Sequence, residues 1–331
     1  MALQTERILL GSLLVVLLVA CQNLSRIARF SAKNFSTLFT TPRPAPIGVL
    51  NPLVPGARLS AVWVGHATVL LQLDDRWVLT DPVFSDTVGQ LSNRLVKPGL
   101  TPEQLPDLDV VLISHMHFDH LSLSSLDLIE HHIKTLVLPE GGAVYVPSSR
   151  VLPTELPLGE SFEQDGLRVT ATAAAHNGWR YGFDGAWMST SFGGYVIEYR
   201  GTSVYFAGDT AFDREAFSAV ARRFPHLDLA LLPIAPIEPR DFMHRHHTDP
   251  AEALAAFELL GARHLLPIHF DTFINSFDEY GSAPRVLRQQ MQLRGLGPER
   301  VTVLRQGERH VYAWRTAPRS ADQSVAPPPE R

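Results

Sequence analysis

The sequence predicts a layered α/β protein, and three observations carry that expectation. Between roughly residues 58 and 315, short apolar runs rich in Val, Ile, Leu and Tyr alternate with helix-like stretches. Turn-forming residues punctuate the alternation. Several apolar runs end on a histidine or an aspartate, which puts chemically active side chains where loops leave a sheet. The chain has 331 residues, 45% hydrophobic and 19% charged, enough for one large core or two modest ones. Its formal charge of −5 and its lack of a Lys/Arg run argue against a nucleic-acid partner.

The first segment, residues 1–20, has a short polar start with Arg7, an apolar stretch from Ile8 to Val19, and the small residue Ala20. That stretch is shorter than the ~20 residues that span a bilayer, and it has the shape of a signal peptide. The single cysteine, Cys21, follows. One cysteine forms no internal disulfide and supports no thiolate metal cluster. Leu18-Val19-Ala20-Cys21 resembles the lipobox of bacterial lipoproteins. The resemblance implies that Cys21 is lipidated and anchors the chain to a membrane on the periplasmic side of a bacterial envelope. Gln22, rather than Asp, resembles the outer-membrane sorting pattern. Residues 21–57, rich in Pro and Gly, read as a tether, and residues 316–331 as a polar, proline-rich, disordered tail.

Within residues 58–315 the expected strands are Ala61–Leu73, Trp77–Thr80, Val110–Ser114, Thr135–Leu138, Leu167–Ala174, Tyr195–Tyr199, Ser203–Ala207, Leu229–Pro233, His264–Ile268 and Val301–Leu304. The expected helices are Leu123–His131, Arg214–Phe224, Pro250–Leu260 and Pro284–Leu293. The third is the best punctuated. Asp249 can cap it, Pro250 suits its first position, Glu252 completes a capping box and Gly261 can close it.

Five strand ends deliver polar residues: Asp81, the cluster His115, His117, Asp119 and His120, then His176, Asp209 and His269. Residues at strand ends converge on one rim of a sheet. Imidazole and carboxylate suit zinc where thiolates are absent. In an extended H-x-H, both side chains lie on one side, so His115 and His117 can grip one metal. Asp119 and His120 lie beyond the turn and can face a second, and Asp209 has two carboxylate oxygens with which to bridge.

The HMHFDH run, the lone His176, GDT with Asp209 and the His269 of PIHF together resemble the four-layer αββα metallo-β-lactamase fold. WVGHATVLL, LTDPVFSD, YFAGDTAF and EPRDFMHRHHTDP are similar to its N-acyl-phosphatidylethanolamine-hydrolysing phospholipase D branch. The resemblance implies one metal on His115, His117 and His176, another on Asp119, His120 and His269, and Asp209 between them. It also implies that Asp81 orients a ligating imidazole; a turn role beside Pro82 is the lesser alternative. The iron-using redox branch carries glutamate at position 117, so His117 favours two Zn2+ ions, with other divalent metals possible.

The activity implied is hydrolysis by a metal-bridged hydroxide, with Asp119 and Asp209 serving catalysis and His247 facing the substrate. A phosphodiester of phospholipid-like character is the expected substrate. A lactonase or other acyl-ester hydrolase is the alternative, and a non-catalytic metal-binding envelope lipoprotein is an alternative of another class. His66 reads as a rim or scaffold residue beside the site, or as a core histidine. Trp179, Tyr181, Phe183, Trp187 and Phe192 could line an acyl pocket or pack the core.

Overall fold

A computed structural model of the chain describes residues 25, 28–37, 40–49, 51–88, 92–146, 151–181, 184 and 190–315. Cys21, the expected signal peptide, the tail and the aromatics Phe183 and Trp187 lie outside the described residues.

Residues 28–37 form a first helix, α1. Strands β1 (Ala57–Gly65), β2 (Thr68–Leu73) and β3 (Arg76–Thr80) follow as an antiparallel meander. A two-strand ribbon, β4 (Thr87–Val88) and β5 (Ser92–Asn93), leads on to β6 (Val110–Leu112), helix α2 (Leu123–Ile129), β7 (Leu136–Pro139) and β8 (Pro153–Leu156). β9 (Ser161–Gln164), β10 (Leu167–Thr172), β11 (Gly194–Tyr199) and β12 (Thr202–Phe206) form a second meander. After it come α3 (Arg214–Arg223), β13 (Leu229–Pro233), α4 (Arg240–Met243), α5 (Pro250–Leu260), β14 (His264–Ile268), α6 (Ser282–Arg294) and β15 (Arg309–Trp314).

The strands make two main sheets, ordered β15-β1-β2-β3-β6-β7-β8 and β14-β13-β12-β11-β10-β9. Each begins as an antiparallel meander and continues with parallel strands, β3-β6-β7-β8 in one and β12-β13-β14 in the other. In β1 the period of two is plain. Leu59, Ala61 and Trp63 join the core between the sheets, while Val62 and Val64 join a second cluster with Leu126 and Ile129 of α2. Burial on both faces explains why these strands read as unbroken apolar runs. On the far side, Phe217 of α3, Phe257 of α5 and Leu287 of α6 cover the second sheet. The layers are therefore helix, sheet, sheet, helix, as expected for a metallo-β-lactamase fold.

Several boundaries differ from the sequence reading. The run 61–73 is two strands, broken where Gly65 and His66 take positive φ of 131° and 57°. The expected strand Val301–Leu304 is a single bridge from Val301 to Leu265, and the strand that closes the sheet edge beside β1 is β15. Helix α1 lies inside the segment read as a tether. Helix α5 keeps its expected ends: Asp249 accepts from the Glu252 amide, and Gly261 closes it at φ 64°.

Candidate metal centre

The site sits where strands end. Asp81 immediately follows β3, and Ile113–Ser122 leave β6. His176 lies beyond β10, Asp209 beyond β12, and His269 directly after β14. Close packing shapes the Asp209 turn. Gly208 has φ 61°, and a Cβ there would meet Ser114 Cβ at 2.5 Å, so only glycine brings the Asp209 loop against the His115 loop.

Asp209 is the hub. Its Oδ2 lies 3.1 Å from His269 Nε2, 3.3 Å from His120 Nε2, 3.5 Å from His247 Nδ1, and 4.0 Å from both His115 Nε2 and His176 Nε2. His115 Nε2 is 2.8 Å from His117 Nδ1, and His176 Nε2 is 3.4 Å from the same atom. Asp119 Oδ2 lies 3.8 Å from His120 Nε2 and 3.9 Å from His269 Nε2. Every residue expected to hold metal is thus in one cluster. His115, His117 and His176 form one set of facing ligand atoms, and Asp119, His120 and His269, with His66 beside them, form another.

The donor set fits a divalent metal pair. His120 Nε2, His247 Nδ1, His269 Nε2 and Asp209 Oδ1 are buried without a hydrogen-bond partner. Orphaned buried polar atoms are rare unless a bound group satisfies them. Here three of the four are imidazole nitrogens within 3.5 Å of Asp209 Oδ2, the fourth being the other oxygen of that carboxylate. The opposite ring nitrogens are engaged. His176 Nδ1 donates to the His246 carbonyl, His269 Nδ1 to the Ala235 carbonyl and His120 Nδ1 to Asp81 Oδ2 at 2.6 Å. Such bonds fix the tautomer, so Nε2 carries the lone pair a metal needs. Asp81 is itself held by the Ser114 amide and hydroxyl, at 2.7 and 2.6 Å.

Electrostatics separates the histidines. Burial, reinforced by neighbouring histidines, holds His115 well below the ordinary imidazole range; burial does the same to His176, and lowers His117, against nearby carboxylates. His66 falls to about 3 and His247 to about 4, with burial the largest cause in both. In His120 burial is outweighed by Asp209, Asp81 and Asp119, which raise it well above the ordinary value. Burial opposes ionisation of Asp119 and Asp209, but the surrounding imidazoles hold both well below the usual carboxylate range.

Some supporting residues carry no motif. Arg180, buried, donates through one nitrogen to the carbonyls of Met116 and Leu121, at 2.9 and 2.8 Å, and so buckles together both ends of the loop bearing His117, Asp119 and His120. Asn177 accepts from His117 Nε2 at 3.0 Å. Only the polar residues trailing His176 hinted at these partners. His247 follows α4 and reaches Asp209, whereas His244 and Arg245 are exposed.

Beside Asp119 opens a cavity of about 680 Å³, walled by Phe30 and Phe35 of α1 together with Val88, Phe273 and Ile274. Of the aromatics after His176, the described ones, Trp179, Tyr181 and Phe192, are not part of this wall. Tyr181 packs edge-on to Phe118 and Tyr145, and Trp179 is exposed.

Comparison with known proteins agrees with the geometry. The beta-lactamase superfamily domain matches residues 76–270. N-acyl-phosphatidylethanolamine-hydrolyzing phospholipase D 1 of Caenorhabditis elegans is 34% identical over 254 residues, covering 71% of this chain and 70% of that one. A UPF0173 metal-dependent hydrolase of Methanoregula boonei is 30% identical, covering 64% of this chain and 82% of that one. Among solved structures, Igni18, a metallo hydrolase from Ignicoccus hospitalis, matches with a TM-score of 0.57 at 21% identity over 76% of this chain and 97% of that one, a likeness of fold. The chain belongs to the metallo-β-lactamase superfamily of metal-dependent hydrolases, in the branch that contains the N-acyl-phosphatidylethanolamine-hydrolysing phospholipases D.

Proposed function

We propose that the protein is a two-zinc phosphodiesterase for phospholipid-like substrates, held at a bacterial envelope membrane by a lipid on Cys21. The observation that carries the substrate class is the mostly apolar cavity running from α1 to Asp119. A cavity of about 680 Å³ accommodates an alkyl chain, and it meets the metal cluster at Asp119, beside which a phosphodiester would sit. His115, His117 and His176 would hold one ion and Asp119, His120 and His269 the other, with Asp209 between. When bound, the pair supplies hydroxide at neutral pH and neutralises charge on a phosphoryl oxygen.

The chain's own groups do the rest. Asp81 takes the His120 Nδ1 proton as a hydrogen bond, which keeps Nε2 aimed at Asp209. His247, neutral at physiological pH, presents Nδ1 toward Asp209 from a buried position and can hydrogen-bond a phosphoryl oxygen there. The apolar wall keeps water from the alkyl chain and sets the direction from which the diester enters.

The test is hydrolysis by zinc-loaded, detergent-solubilised protein. N-acyl-phosphatidylethanolamine and bis(p-nitrophenyl) phosphate are the expected substrates, with Asp119→Ala and His269→Ala as blanks. Turnover confined to lactones or carboxylic esters overturns the phosphodiester reading. Metal analysis well below one ion per chain favours the non-catalytic lipoprotein. For the anchor, labelled palmitate should enter the parent in a bacterial host and be absent from Cys21→Ala.

A further inference from the structure

His66 occupies a place that no ligand motif explains. It sits in the tight turn between β1 and β2 with a left-handed backbone, φ 57°, which is uncommon for a residue with a full side chain. Only 1% of it is exposed. The turn is held from outside itself, because the His66 amide donates to Thr272 Oγ1 at 2.7 Å. Its carbonyl accepts from the Trp63 indole at 2.9 Å and from the His269 amide at 2.9 Å. Its ring Nε2 donates to Asp119 Oδ2 at 3.0 Å. The ring is wedged, 4.0 Å from the His269 ring centroid and edge-on to Phe273 at 5.1 Å.

Hydrogen bonds reach Asp119 and His269, and the His120 ring lies 5.0 Å from the His66 ring. The contacts thus touch all three residues in the second half of the cluster, and no hydrogen bond or ring contact ties His66 to the first. Asp119 has little else to orient it. Its side chain is 22% exposed, whereas His120 and Asp209 are at 0% and 2%. A carboxylate free to rotate presents either oxygen, or neither, to a metal. The oxygen tied to the His66 imidazole N–H, Oδ2, is the one that faces His120 Nε2 at 3.8 Å and His269 Nε2 at 3.9 Å, so the bond fixes the carboxylate edge turned toward the second half of the cluster. His269 also has a left-handed backbone, φ 66°, and its amide bond to the His66 carbonyl helps hold it there.

We infer that His66 is the positioning residue of the second ion's half-site: its ring orients Asp119 and its backbone seats His269, while the half-site of His115, His117 and His176 is independent of it. The inference rests on the two-ion reading above. It makes the two halves of the cluster unequal, because one hangs on the β1–β2 turn across the sheet while the other is built from loops after β6 and β10.

The experiment is titration of metal-free full-length protein with Co2+, followed by visible absorption and by competition with a chelator. His66→Asn removes the ring donor but tolerates a left-handed backbone, and His66→Gln returns an N–H near the lost Nε2. The parent is expected to take two ions. In His66→Asn one ion should bind with unchanged affinity and the other about 10- to 100-fold more weakly, the range usual for a partner behind a ligand. The weakened step should be one that persists in His176→Ala, which marks the first half-site. His66→Gln should bring the second ion back to within about threefold, taking the hydrogen bond as most of that effect.

Equal weakening of both ions, or of neither, overturns the inference. So does a His66→Gln protein as defective as His66→Asn, since His66 would then act as a ligand itself. Should His66→Asn fail the circular-dichroism check for folding, the His66→Gln result alone decides. A parent that takes fewer than two ions overturns the two-ion reading instead, whatever the variants do.

Discussion

The metal rim and the cavity beside it are adjacent but built on opposite principles. The ligand-bearing loops leave strands whose other side chains are in the core, and the far ring nitrogens of His120, His176 and His269 are tied to Asp81 or to backbone carbonyls. The cavity wall is an added piece. Helix α1 precedes the domain and is held by a few contacts: Lys33 Nζ donates to the carbonyls of Ser276 and Asp278, Phe30 meets Phe277 edge-on, and Thr37 bonds Asn93. The difference teaches a division of labour. If the cavity takes part of the substrate, the scaffold fixes which chemistry is available and a lightly attached segment selects what is brought to it.

The largest expected effect strikes the rim at its hub. Asp209→Asn keeps the shape but removes the charge that five histidines face. Metal content and phosphodiester hydrolysis should both fall by more than the roughly 10- to 100-fold that loss of a supporting partner produces. A variant that keeps both would show that the chemistry lies elsewhere than the rim.

Next in size is acid sensitivity of the metal-free protein. His66 and His247 titrate at about 3 and about 4 when folded, below the ordinary 6.5 that the unfolded chain recovers. The unfolded state therefore binds more protons below pH 6.5, and stability falls as pH drops from about 6.5 toward those folded values. At pH 5 each group costs about 2 kcal/mol relative to neutral pH. His120 runs the other way, but its contribution is complete below about pH 6.5 and recovers nothing further. Urea midpoints at pH 7 and pH 5 measure the loss. Zinc should raise the midpoint at both pH values but leave a loss at least as large between them, because metal binding also requires unprotonated imidazoles.

Smaller again is the effect of opening the buckle. Arg180→Ala leaves the Met116 and Leu121 carbonyls without their buried donor, a loss of about 3 kcal/mol in unfolding free energy. It should also loosen metal binding, because the loop between those carbonyls carries His117, Asp119 and His120. A stability loss with unchanged metal affinity would show that the strand ends alone hold the rim.

The same contrast governs what could be read from the sequence. The rim was legible because metal chemistry needs particular side chains, and the strands that present them are apolar enough to be seen. The β13 and β14 runs, LALLP and HLLPI, end where the pattern says. Helix α1 was illegible because its inward face is Phe30, Lys33, Asn34 and Thr37. The spacing is helical, but the residues are mostly polar, bonding to backbone where a core helix would bury apolar surface. The edge strand β9, SFEQ, hid for a related reason, since only alternate residues are even partly buried. The break at Gly65-His66 was masked by apolar residues on both sides. Arg180 was missed because its role depends on a fold contact and on no spacing at all.

The smallest effect is the one that separates the two regions most cleanly. Phe30→Ala removes an aromatic wall of the cavity and leaves every rim distance untouched. If the cavity takes an alkyl chain, the lost apolar contact is worth about 1 kcal/mol, so KM for a long-chain diester should rise roughly fivefold. Hydrolysis of bis(p-nitrophenyl) phosphate, which has no chain to place there, should not change. Lys33→Ala should do the same by a different route, loosening α1 from the Ser276 and Asp278 carbonyls without touching the wall chemically. Two variants acting through one helix, one on its surface and one on its attachment, should therefore share a phenotype that grows with substrate chain length. A rise in KM for both substrates alike would mean that α1 props the rim, and that the two regions are one machine after all.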